Sequence, residues 1–455
     1  MRERPGDAFG RLREFLDRSL FPVSPGQATR FKGWEAGLVI LSLVALAAVL
    51  QLFRLGPSTA LNSLWAEDGP VFLGGALTHG FFDAVTTPYA EYLVVTPRLI
   101  AELGTLVPLR DAPVVMNLAT VILIAVSGLA VWFASAGHVR SPYLRGLLVA
   151  LMVLSPVGTI EAVATPTNLA WYMAFAVFWL LFWRPRTTWG AGLGGALVLM
   201  TGISTPATLL FAPVALLRAI SIRSRRDAIV VGSYALGAGI QLVAMANNTE
   251  AVPGDVWTTS ILTTFLQRVV DGSVLGLDLS GEAWLEWGWP FLIAIVLAVA
   301  TYLVAMLVRA PSSRLFAAIA LLASVVTFLV SGYTRALGDV MVWHSGVYND
   351  FAGRYAIVPA LLLLSAILAL LDSHYRSGKQ RMPALGIAVA AVLLASIITS
   401  FDVRGAIDRD EAPWDESVRA AAARCEAKHL TEAPVAISPP GWAMKLSCGD
   451  LGSAD

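Results

Sequence analysis

The chain has 455 residues, 56% hydrophobic and only 14% charged, and its 32 basic and 32 acidic residues balance to zero net charge. A soluble globular chain carries about 25% charged residues, so this composition excludes an ordinary soluble domain and points to a helical protein embedded in membrane lipid. Zero net charge gives no reason to expect a nucleic-acid partner.

Residues 1–32 are polar and arginine-rich, and no short apolar run there ends in a small-residue cleavage site, so no signal peptide is expected. Phe9, Leu12, Leu16 and Leu20 recur at helical spacing between charges. That pattern suits a helix lying on the cytoplasmic face, or a plain soluble helix.

A spanning helix needs about 20 mainly apolar residues. Spans are read at 33–55, 113–135, 144–162, 168–183, 228–246, 289–309, 315–332, 354–372 and 383–401. The stretch 189–220 carries Pro206 and Pro213 and has arginines at both ends. It is expected to enter and return as two short helices meeting at "ISTP", 203–206. The expected fold is therefore an all-α polytopic membrane protein with about eleven transmembrane helices, residues 33–401 forming its membrane domain.

With the N-terminus in the cytoplasm, the inner segments hold 20 Lys/Arg and 7 Asp/Glu, and the outer ones 12 and 25. The basic residues alone satisfy the positive-inside rule. The stretch 92–109 is apolar but holds Pro97, Arg98 and Glu102. Charges are costly at mid-membrane, and a crossing here would flip every later loop. It is expected to lie at the outer interface or to enter only partly. The outer segments are then 56–112, 247–288, 332–353 and a small extracytoplasmic tail, 402–455. The tail holds both cysteines, Cys425 and Cys448. They are either a disulfide formed in an oxidising compartment or two free thiols.

The outer face carries the chemistry. "LWAEDGPVFLGGAL" sets Glu67 and Asp68 side by side after Trp65. An apolar setting raises a carboxylate's pKa and suits it to act as a base. A solvated helix N-terminus would also hold acids. The same loop offers His79, Tyr89 and Glu91 as pocket residues, and Arg98, whose fork of donors suits a phosphate. Arg98 could instead snorkel and pair with Glu102 or Glu91. A second cluster, in 331–364, holds Arg335, His344, Asp350, Arg354 and Tyr355. Arg354 begins an apolar helix, where the dipole favours an anion rather than a cation, so a phosphate is its expected partner. Asn168 and Trp171 enter the fourth span from the same side. Asn168 also fits a plain helix cap. Trp284, Trp287 and Trp289 fit an interfacial aromatic belt, or a stacking surface for sugars. No phosphate-binding glycine loop, dinucleotide fingerprint or nucleophile elbow is present. No acid lies deep within a predicted span, which argues against proton-coupled transport.

"LWAEDG" and "GRYAIVPALLL", with acids in the first outer loop of a many-span chain, resemble the GT-C glycosyltransferases. The resemblance covers roughly the first 400 residues. Many relatives carry Asp-Glu after "LW"; here the order is Glu67-Asp68. The resemblance implies transfer of a sugar from a polyprenyl-phosphate donor to a glycan, lipid or protein acceptor on the extracytoplasmic face, with inversion. Glu67 or Asp68 would be the base, and Arg98, Arg335 or Arg354 would hold the phosphate. Trp65, His79, Tyr89, Glu91, Asn168, Trp171, His344, Asp350 and Tyr355 would shape the sugar and acceptor pocket. Some members of the class need a divalent metal ion and others none, so no cofactor is assigned and a divalent metal is left open. The Arg- and Ala-rich composition suggests a bacterial inner membrane. The competing readings are a lipid-linked sugar flippase, an O-antigen-type ligase or polymerase, and a non-catalytic envelope subunit.

Overall fold

The computed structural model describes residues 5–23, 33–247, 259–334, 353–376, 384–404, 409 and 413–452. The described chain is almost all helix, with one two-stranded antiparallel sheet near its end. Six helices are long and apolar enough to cross a membrane: Gly33–Leu55, Leu109–Gly137, Arg225–Asn247, Trp289–Arg309, Arg314–Thr334 and Arg354–Arg376. The pair Thr188–Gly202 and Pro206–Ile220 would make a seventh, but it bends by 118° at its break. Pro206 drives the residue before it out of the helical region. Thr205 accordingly takes φ −156° and ψ 136°. Shorter apolar helices, Pro142–Val153, Pro166–Phe182 and Ala384–Thr399, occupy the other predicted spans.

The length criterion thus yields six or seven spans against about eleven expected. One difference is instructive. The sequence predicts a helix over 144–162, but it stops at Val153. Pro156 has no N–H to donate, and its ring disfavours a helical residue before it. The chain then runs as buried irregular backbone into two short turns, Ile160–Ala162 and Pro166–Asn168. That stretch becomes a floor beneath the loop that carries Glu67 and Asp68.

Helix Arg354–Arg376 is the axis of the fold. The most apolar part of this helix is wholly buried. It packs against Arg314–Thr334, Leu169–Phe182, Pro142–Val153 and Phe265–Asp271. By contrast, only 11% of the apolar window is buried in Gly33–Leu55 and in Trp289–Arg309. A helix that is apolar all round and still exposed faces lipid. Within 92–109, expected at the outer interface or only partly in the bilayer, the structure has one helix, Val95–Gly104. Ten residues at 1.5 Å each span about 15 Å, half the hydrocarbon thickness of about 30 Å.

The end carrying the basic segments is knotted by ion pairs. Asp17 of the N-terminal helix meets Arg184 and Arg223, and Asp227 meets the fully buried Arg218. Arg184 also donates to the Phe21 carbonyl at 2.7 Å.

At the opposite end the tail folds against the first loop. It comprises the helix Trp414–Lys428 and a hairpin of strands Glu432–Ile437 and Trp442–Ser447. Trp414 is fully buried, and its indole N–H donates to the Leu109 carbonyl at 2.9 Å. Cys425 and Cys448 are joined as a disulfide, with Cα atoms 5.7 Å apart. The staple closes 23 residues, and a loop of this order stabilises by about 3 kcal/mol. Replacing Cys425 and Cys448 with serine is therefore expected to make the tail cleavable by protease under conditions where the wild-type tail resists. Equal resistance would show that docking alone holds it.

Candidate active site

The acid pair sits on a turn whose register is set by the tail. The Ser438 N–H donates to the Leu64 carbonyl at 3.1 Å, and the Ala66 N–H donates to the Ser438 carbonyl at 2.5 Å. Ala66 has φ 42°, the left-handed region, which is unfavourable for a residue with a Cβ. The short turn Ala66–Asp68 follows. It sends adjacent side chains to different places. Asp68 is completely buried, whereas Glu67 is half-buried.

Asp68 is pinned. Its Oδ1 accepts from the Thr167 N–H at 2.8 Å and from the Thr167 hydroxyl at 2.5 Å. Its Oδ2 is buried without a hydrogen-bond partner among the described residues. Burial pushes the Asp68 carboxyl up to about 7, outweighing the two bonds from Thr167 and the attraction of Arg409; the charge of Glu67 adds to the rise. Glu67 is held more lightly, by the Tyr89 hydroxyl donating to Oε1 at 3.3 Å. Its Oε2 likewise lacks a partner.

Beside this pair stands a buried ion pair. Glu161 Oε1 accepts the backbone N–H of Arg354 at 2.8 Å, and Oε2 accepts Arg354 Nη1 at 2.9 Å. The side chains are 1% and 24% exposed. Asn168 and Thr165 steady the turn by donating to the Glu161 carbonyl at 2.6 and 2.7 Å. Arg354 lies over the Tyr355 ring at 5.1 Å, and Trp171 meets that ring edge-on at 5.2 Å. Glu67 is within electrostatic reach of Arg354.

The structure thus brings together Glu67, Asp68, Tyr89, Asn168, Trp171, Arg354 and Tyr355. Asn168 binds the Glu161 carbonyl and makes no side-chain cap. Trp65 is 2% exposed and packs beneath the Arg409 guanidinium at 5.5 Å, so it supports the turn from behind. Glu91 is half-buried and holds a left-handed φ of 75°. Arg335, His344 and Asp350 lie outside the described residues. Arg98 and His79 line a different cleft, of about 460 Å³, whose walls include neither carboxylate of the pair nor Arg354.

Three contributors escape a reading of the sequence: Glu161 as the partner of Arg354, Thr167, and Arg409. Arg409 donates to the Val163 carbonyl at 3.0 Å and to Ser63 Oγ at 3.2 Å. It comes from a tail more than 300 residues downstream of the acids, so no local spacing marks it. Among the described residues, no three of His, Cys, Asp and Glu stand close enough to hold a metal ion. Glu161 has both oxygens committed to Arg354.

No protein-family model and no curated protein matches the chain. The structure is similar to that of an oligosaccharyltransferase. One match is the Archaeoglobus fulgidus enzyme tethered to an acceptor peptide containing the NVT sequon, at TM-score 0.41 and 11% identity over 90% of this chain. Another is the oligosaccharyltransferase AglB from Archaeoglobus fulgidus with an inhibitory peptide and a dolichol-phosphate, at TM-score 0.35 and 12% identity over 85%. The chain spans 61% and 60% of those two chains.

Two predictions follow from the geometry. Glu161→Gln leaves Arg354 facing a neutral group at a largely buried site, a loss of about 3 kcal/mol. Its thermal unfolding in detergent is expected to shift down, and adding Arg354→Gln should recover part of the shift. No recovery would mean that the pair does not act as a unit. The second concerns pH. The folded state holds the Asp68 proton up to about 7, above the carboxylate's ordinary value. Stability from this group falls as pH rises toward and through 7. Asp68→Asn, which can still accept both Thr167 bonds, is expected to remove that fall and to match or exceed wild type above pH 7. A variant less stable than wild type at pH 8 would contradict this.

Proposed function

We propose that the chain is an inverting glycosyltransferase of the GT-C type, moving a sugar from a polyprenyl-phosphate donor to a cell-envelope acceptor at the outer membrane face. The observation that carries the reading is the divergence of the acid pair. Glu67 is partly open and lies near the Arg354 cation, while Asp68 is locked beneath it by Thr167. A base must reach the acceptor, which favours Glu67. Asp68 then serves as a positioning residue that fixes the turn.

In the reaction, the acceptor hydroxyl oxygen attacks the anomeric carbon from the side opposite the phosphate. The bond between that carbon and the phosphate oxygen breaks, and its electron pair leaves with the phosphate. The hydroxyl proton passes to Glu67. Arg354 stabilises the charge that grows on the departing phosphate, the electrostatic part of barrier lowering. Its fixed orientation on Glu161 means that little reorganisation is needed. Tyr89, Trp171 and Tyr355 would border the sugar. Arg335, His344 and Asp350 belong to the same proposal through their place in the loop before Arg354. Residues 1–32 would be cytoplasmic, 33–401 the membrane domain, and 402–455 the extracytoplasmic tail that walls the site. The membrane would be a bacterial inner membrane, and the eleven crossings would include the short helices and the bent pair.

The test is transfer by the purified chain in lipid, given a panel of radiolabelled polyprenyl-monophosphate sugars and a crude envelope extract as acceptor. One donor is expected to be used. Glu67→Gln should lower the rate at least about a hundredfold, the usual contribution of a general base, and Glu67→Gln/Asp68→Asn should abolish it. Full transfer by the double variant would overturn the assignment. Tight lipid binding without transfer by either protein would favour a flippase or an accessory subunit.

A further inference from the structure

The second cleft is not explained by the transfer reaction. It lies between the first outer loop and the hairpin of the tail, and its lining includes Arg98, His79, Thr87, Gly75 and Lys445, with no acidic residue. Arg98 is only 5% exposed. Its Nε is buried without a hydrogen-bond partner, and no ion pair joins it to Glu91 or Glu102 among the described residues. Its guanidinium lies over the Phe72 ring, 5.6 Å from the centroid. Three other deeply buried arginines have protein acceptors. Arg54 donates to the carbonyls of Ser155, Gly158, Ser400 and Phe401. Arg218 meets Asp227, and Arg409 meets the Val163 carbonyl. An unpaired buried guanidinium is costly, and Arg98 is left in that condition with its head at a cleft.

The surroundings keep that head in place. A Cβ on Gly75 would stand 3.3 Å from Arg98 Nη1, closer than ordinary contact, so glycine leaves room for the guanidinium. Lys445, an exposed cation on the strand Trp442–Ser447, lines the same cleft. His79 Nδ1 lies 2.9 Å from the Thr78 hydroxyl and 3.1 Å from the Gly75 carbonyl. Its Nε2 makes no hydrogen bond among the described residues.

We propose that this cleft is a phosphate-binding site, separate from the Glu67–Arg354 centre, in which Arg98 and Lys445 clamp a phosphate ester from two sides. Two cations with no acid in the lining suit a phosphate monoester or diester, and the arginine fork binds two of its oxygens at once. A volume of about 460 Å³ falls in the range of small-ligand sites. It accommodates a sugar phosphate or a phospholipid headgroup. The site requires both the loop and the docked tail, which gives the tail a role beyond covering the fold.

The experiment reads binding alone, so its outcome does not depend on whether the chain transfers a sugar. The full chain in phosphatidylcholine nanodiscs is titrated with glucose 6-phosphate and with inorganic phosphate by calorimetry. In a second arm, discs containing phosphatidylglycerol are analysed for lipid retained by native mass spectrometry. Arg98→Gln is expected to weaken binding about tenfold or more, the worth of a charge-assisted hydrogen bond. Lys445→Gln should weaken it about threefold, as an exposed charge. Gly75→Ala keeps both charges but crowds Nη1, and should also weaken binding. The latter two variants keep the proposal testable if Arg98→Gln does not fold. Binding of the soluble probes, lost in the variants, identifies a free phosphate ester. Retention of phosphatidylglycerol alone, lost in the variants, identifies a lipid headgroup. No binding in either arm, or binding unchanged in every variant that folds, overturns the site.

Discussion

The clamp between Glu161 and Arg354 is the constraint on which the end carrying the acid pair depends. Arg354 opens the central helix, whose apolar middle is wholly buried. A cation at that end opposes the helix dipole. Glu161 resolves the conflict twice over, taking the first backbone N–H with one oxygen and the guanidinium with the other. The broken segment 154–168 is thereby fastened to the axis of the fold. Thr167, which lies in that segment, in turn fixes Asp68. One ion pair therefore relates the core helix, the irregular floor and the acidic turn.

The tail supplies the complementary restraint. Ser438 pairs with the backbone on both sides of Trp65, and Arg409 fills the space behind that ring. Ala66 is held in a left-handed conformation that an isolated alanine avoids. Such strain persists only where the surroundings over-determine it. Here the surroundings are a hairpin and a buried arginine from the far end of the chain. The consequence is that two neighbouring carboxylates acquire different burial.

The two ends of the molecule use charge differently. At the basic end, Asp17 and Asp227 are each shared by arginines, and the network ties the N-terminal helix to the helix termini. At the outer end, carboxylate oxygens of Glu67 and Asp68 and the Nε of Arg98 remain buried without partners among the described residues. Buried polar groups are normally satisfied.

The sequence by itself determined the helical, membrane-embedded class of the protein, the positions of its long apolar helices and the break at 203–206. Those features follow from local physics: apolar run length, proline chemistry, and the cost of placing charge in lipid. It did not determine how the polar residues group. Arg98 and Arg354 look alike as outer arginines beside apolar segments, yet one lines an open cleft and the other is bound to Glu161, 193 residues away. Helix 144–162 was legible as apolar, but its early end at Val153 creates the floor that carries Glu161 and Thr167. The roles of Lys445 and Arg409 were invisible because they arise only when the tail docks. Burial, ion pairing and the split between Glu67 and Asp68 are properties of contacts between distant segments, and only the tertiary structure decides those.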